Sequence, residues 1–217
     1  MSFLGDLATV TSILPASVYI LYKRNRLPAE LKLFGIFIGL RLLFEVYTCA
    51  IVHLYHANTL RYYNVYMLLE FWLCVMMFLK WLYPRIRVYQ LIALPFVYTV
   101  FWLYNIFNWG LSNISPYTSV VLYIAITILS AIYIIQYIRK NDANPLRSAK
   151  FVIAFSFCCY FGVETILHAA AQDIFVYKES MLITFFIYTD SIIFIVTNIL
   201  LAVGLWRATD IQHKPIN

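Results

Sequence analysis

Glu164 and His168 stand four residues apart inside the otherwise apolar stretch Phe151–Ala171. That spacing is about one helical turn, so both side chains share a face, which Tyr160 and Ser156 continue. About twenty apolar residues are enough to cross the hydrocarbon layer of a bilayer. A carboxylate held there costs about 2.5–3.5 kcal/mol on insertion scales, so it turns toward a partner or water rather than lipid. Glu45, Glu70 and Asp190 sit in equally apolar surroundings. Groups of this kind can hold protons, bind a cation or ligate a metal, and each option requires that helices bring them together.

Composition says what those helices are. The chain is 63% apolar and only 12% charged, against roughly 45–50% and about 25% in soluble domains. That excludes a soluble fold and points to an all-α integral membrane protein. Its 217 residues leave room for about seven spans with short loops. The net charge of +6 reads as membrane topology, not as a nucleic-acid-binding surface. Cys49, Cys74, Cys158 and Cys159 all fall in apolar stretches without a C-x-x-C pair, which suits packing rather than a disulfide framework.

Seven spans follow from the apolar runs: Leu4–Tyr22, Leu33–Tyr55, Tyr62–Tyr83, Val88–Phe107, Tyr117–Tyr137, Phe151–Ala171 and Ser180–Trp206. Residues 1–207 make one transmembrane domain and 208–217 a short cytoplasmic tail. Arg41, Glu45, Cys49 and His53 recur every four residues on span two, on one face. Tyr98, Trp102 and Asn105 share a face of span four, and Tyr123 lies inside span five. Loops after spans one, three and five, with the span ends beside them and the tail, hold thirteen of the 16 Lys and Arg. The opposite loops hold only Arg61 and Lys178, and Arg41 lies within a span. The positive-inside rule then places the N-terminus outside and the C-terminus in the cytoplasm of a plasma (inner) membrane.

On this topology Glu45, Glu70, Glu164 and Asp190 share a depth, roughly 12–16 Å below the outer surface, with His53 and His168 one to two turns above. Glu45 and Glu70 are 25 residues apart and Glu164 and Asp190 are 26, each pair on the second and third helix of a three-helix run. A parallel repeat joined by span four would produce that echo. The layout resembles, in topology alone, the 3+1+3 plan of sugar-efflux transporters of the SWEET type. The proline-glutamine loop motif of that wider family is absent.

Arg41 and Glu45 can form a within-helix ion pair, which leaves Glu70, Glu164 and Asp190 without a cationic partner in the spans. Three carboxylates in one apolar slab do not all stay ionised unaided. Either some are protonated and hydrogen-bonded to neighbours, or a cation or cationic ligand sits among them. The expected ligand-binding set is Glu45, Glu70, Glu164, Asp190 and Arg41, with Tyr98, Trp102, Asn105 and Tyr123 as walls that suit an organic cation. Catalytic residues are not identifiable.

A metal site is the alternative. His53, His168, Glu164 and Asp190 form a mixed set suited to zinc, iron or manganese, which would make the chain a metal-dependent hydrolase of lipids. The seven-helix hydrolases of the ceramidase and adiponectin-receptor group use three histidines, two of them on the last span, and span seven here has none. The leading expectation is a transporter or receptor-like protein whose outward pocket takes a cation, a proton or a small polar ligand. A structural, partner-binding membrane subunit is the third class. Retinal chemistry is excluded, because span seven has no lysine to form the Schiff base.

Overall fold

The computed structural model describes residues 3–23, 27–29, 31–55, 59–82, 88–112, 116–140, 144–177 and 180–210. They form seven α-helices: α1 Phe3–Lys23, α2 Lys32–Tyr55, α3 Leu60–Leu82, α4 Val88–Trp109, α5 Pro116–Lys140, α6 Ala149–Tyr177 and α7 Ser180–Asp210. A 3-10 turn, Pro145–Arg147, leads into α6. Among the described residues five helices are long and apolar enough to cross a membrane: Lys32–Tyr55, Leu60–Leu82, Tyr117–Lys140, Ala149–Ala170 and Thr184–Arg207. Leu7–Tyr22 is a shorter apolar run. This is the construction of an all-helical, multi-pass membrane protein. Arg24, Arg26, Arg85, Arg87, Lys178 and Lys214, which carry much of the expected charge asymmetry, lie outside the described residues, as do residues 211–217. α7 runs to Asp210, three residues into the expected tail.

Local chemistry sets the helix ends. Pro116 opens α5, where its missing N–H would have had no partner. Gly110 follows α4 with φ 80° and donates its N–H to the Ile106 carbonyl at 2.8 Å, a left-handed stop that glycine adopts without strain. Asn144 caps the 3-10 turn by accepting from the Leu146 N–H at 3.0 Å. Pro95 lies inside α4. Thr99 there donates to the Pro95 carbonyl at 2.7 Å and accepts from Trp72 Nε1 at 3.1 Å, which ties α4 to α3.

The helices pack as a ring. α1 lies against α2, α2 against α3, α3 against α5, α5 against α6, α6 against α7, and α7 closes on α1. α4 lies beside α3 and α5 and only flanks the ring. An aromatic layer fills part of the interior: the Phe157 ring lies 6.1 Å from Phe34, 5.3 Å from Phe37, 6.2 Å from Phe78 and 5.5 Å from Phe161. At the α1–α7 seam Asn198 donates to Ser12 Oγ at 2.8 Å.

Gly204 allows α7 to approach α6 closely. A Cβ there would lie 3.1 Å from Ile153 Cγ1 and 3.5 Å from the Ala149 carbonyl oxygen. Gly204→Leu should therefore cost about 1–3 kcal/mol through overpacking, read as a lower melting temperature in detergent. Gly39→Ala is the control, since a Cβ there meets nothing within 4 Å. Equal melting of both variants would contradict this seam.

Candidate functional site

The cavity inside the ring has a volume of about 390 Å³. All six ring helices contribute to its wall and α4 does not. Three acids line it: Glu45 from α2, Glu164 from α6 and Asp190 from α7. His168 lies one turn above Glu164, and the wall reaches Thr59 in the α2–α3 connection. Each side chain is placed by its four-residue helical repeat: Tyr160, Glu164 and His168 on α6, Phe186, Asp190 and Phe194 on α7.

His168 Nδ1 is 3.1 Å from Glu164 Oε2 and also 3.1 Å from the Glu164 carbonyl oxygen. One N–H at Nδ1 can serve both acceptors, which a neutral imidazole can supply. The His168 ring stands edge-on to Tyr123 with centroids 5.0 Å apart, and Tyr123 and Tyr63 share a hydroxyl hydrogen bond of 2.8 Å. Glu164 and Asp190 face the same cavity from the packed neighbours α6 and α7. Glu164 Oε1 is buried without a hydrogen-bond donor, although a buried acceptor of this kind is normally satisfied.

Arg41 sits behind the cavity at 1% exposure. Its Cζ lies 4.1 Å from the ring centroid of Phe194 and 4.8 Å from that of Tyr160, two residues that also line the cavity. The arrangement is a cation on two aromatic rings. The guanidinium is also within electrostatic reach of Glu45, Glu70, Glu164 and Asp190. This corrects the expectation that Arg41 neutralises Glu45 alone and leaves the other three acids without a cation. A long side chain crossing the ring interior reaches acids on four helices, a relation invisible in the within-helix spacing. Arg41 Nη1 remains buried with no hydrogen-bond partner.

The remaining expected residues divide by layer. Tyr123 lines the cavity. Glu70 does not; it is buried behind the wall and accepts from the Tyr66 hydroxyl at 3.2 Å. His53 is half-buried on α2 outside the lining. Tyr98, Trp102 and Asn105 lie on α4, away from the cavity. Tyr98 packs its ring, tilted by 42°, 4.2 Å from that of Phe71, Trp102 Nε1 donates to the Asn64 carbonyl at 3.0 Å, and Asn105 Nδ2 donates to the Phe101 carbonyl at 2.9 Å. Their shared helical face meets α3 and α5 rather than the ring interior.

Among the described residues no three His, Cys, Asp or Glu side chains are grouped so as to hold a metal ion. His53, His168, Glu164 and Asp190 are not brought together as one ligand set, and the donors present do not fit the metal centre considered above. Sequence reasoning passed over Phe186 and Phe194. Their positions, one turn either side of Asp190, were the available signal. No protein-family model matches the chain, and no curated protein or solved structure is similar to it.

Proposed function

We propose that this chain is a seven-span membrane protein, N-terminus outside and C-terminus cytoplasmic, that binds a small cation or polar ligand in the ring cavity as a transporter or receptor-like protein. The observation that carries the proposal is the cavity itself: Glu45, Glu164 and Asp190 face one hollow of about 390 Å³, near the lower end of the range for small-molecule sites, about 300–1,000 Å³. Intramembrane acids are costly, and their convergence on a hollow is the usual mark of a ligand or ion path. Thirteen Lys and Arg against two in alternating loops favour the stated orientation.

The ring order adds support for a repeat. Exchanging α1, α2 and α3 with α5, α6 and α7 carries the α3–α5 contact onto α7–α1. Glu45 then corresponds to Glu164 and Glu70 to Asp190. A two-fold ring with its site between the halves suits alternating access. A lipid hydrolase built on a metal has no grouped donor set to start from among the described residues.

Calorimetry on the purified protein with methylammonium, tetramethylammonium, sodium and potassium tests the proposal. At least one of these should bind. Glu164→Gln should weaken that binding by about 2 kcal/mol or more, roughly thirtyfold, while the melting curve shows that the variant is folded. Unaltered binding in a folded Glu164→Gln protein would remove the cavity from the function.

A further inference from the structure

We propose that the Glu164–Asp190 pair is a cation–proton exchange site: an organic ammonium ion binds against the two carboxyls and displaces the proton they share. The inference rests on the ligand-binding reading of the cavity and adds a ligand class and a coupled ion.

Three observations converge on it. The first is the paired carboxyls: Glu164 of α6 and Asp190 of the neighbouring α7 line one hollow. Two carboxylates facing one hollow inside an apolar bundle do not both stay charged unaided; a proton or a cation holds them together. The second is Glu164 Oε1, an unpartnered acceptor on a side chain 1% exposed that lines the hollow. It is an acceptor position still open to a donor or a positive charge. The third is the wall. Tyr63, Tyr123 and Phe186 bring aromatic rings to the same hollow, and such rings attract an organic cation. A bare metal ion would want grouped oxygen or nitrogen donors, whereas an alkylammonium uses one or two carboxylates and the ring faces.

The charge around the pair decides how many positive charges the hollow can take. Arg41 faces it from α2, Glu70 and Tyr63 from α3, Tyr123 from α5, and Tyr160 and His168 from α6. Arg41 is the one fixed cation among them, and it is set against Glu70 as well as the pair. His168 has both its acceptors, the Glu164 carboxylate and carbonyl, at Nδ1, an arrangement one N–H of a neutral ring can satisfy. Glu45 also lines the hollow from α2 and is set against Arg41 too, so Arg41 leaves negative charge uncompensated at the pair, and a proton and an ammonium ion compete for that place. In the exchange the O–H bond between the carboxyls breaks, the proton leaves through the cavity mouth to water, and the ammonium takes over its contacts. No electrons move.

Tetramethylammonium is the probe, because its charge is fixed and any pH dependence belongs to the protein. Its dissociation constant should fall about tenfold for each unit of pH rise across the range in which the pair is protonated, since the proton competes. Titration in two buffers of different ionisation enthalpy should show about one proton released per bound ion. Asp190→Asn leaves Glu164 as a lone carboxyl without a like charge beside it, so the pH dependence of its binding should move to lower pH than in the wild type. His168→Gln should keep the slope whatever its absolute affinity. Binding without pH dependence or proton release overturns the exchange while leaving the cavity as a ligand site. A slope lost in His168→Gln and unmoved in Asp190→Asn overturns it too, by assigning the proton to the histidine. If neither tetramethylammonium nor any of the other cations binds at any pH, the underlying ligand-binding reading fails instead.

Discussion

Arg41→Ala should destabilise the protein by about 3–5 kcal/mol, the largest loss expected of any single substitution here. Removing one side of a buried charged cluster leaves the other side uncompensated in a medium that solvates it poorly, and that cost is what mutation reads. Arg41 is within reach of four acids on four helices, so its loss leaves the charge of these acids less compensated inside the ring. Arg41→Lys separates charge from shape. Lysine restores the positive charge but is a compact, strongly hydrated ammonium without the flat guanidinium that lies on the Phe194 and Tyr160 rings. It should recover only part of the loss. Thermal unfolding in detergent, followed by tryptophan fluorescence, gives both values. An Arg41→Ala protein that melts with the wild type would show that the acids are neutralised by some other means.

Phe157→Ala should cost about 3 kcal/mol, at the low end of the range for buried aromatic truncations. The reason for the low end lies in the solvent. Lipid is as apolar as a protein core, so exposing or burying an aromatic ring in a membrane gains little from the hydrophobic effect, and the loss is mainly of packing contacts. Those contacts are many: Phe157 is fully buried and its ring meets Phe34 and Phe37 of α2, Phe78 of α3 and Phe161 of its own helix. Phe37 in turn lies 6.0 Å from Arg41, so the aromatic layer also supports the floor of the cavity. Phe155→Ala, on the exposed side of α6, should change the melting temperature little. If both phenylalanine variants melt alike, α6 does not present the face described here.

The two expectations describe one construction. Packing of phenylalanines draws α2, α3 and α6 together, and the buried Arg41 guanidinium is set against acids from four helices.

What the sequence determined by itself is the set of helices and the acids they carry. Apolar runs of about twenty residues admit little else in a membrane, because only a helix satisfies its own backbone there. Each of the seven expected apolar runs falls on an observed helix, Leu33–Tyr55 on Lys32–Tyr55 and Val88–Phe107 on Val88–Trp109 among them, and among the described residues five of those helices are long and apolar enough to cross a membrane. The four-residue rows of α6 were equally legible, since a helix fixes which of its own residues share a face. Relations between helices were not, because periodicity orients a face without naming its neighbour. Tyr98, Trp102 and Asn105 share a face as the spacing requires, yet α4 lies outside the ring and that face meets α3 and α5. Arg41 looked like the partner of Glu45, one turn away. Only the ring closure of α7 on α1, with α6 alongside, placed Phe194 and Tyr160 beneath its guanidinium and brought Glu164 and Asp190 within its field.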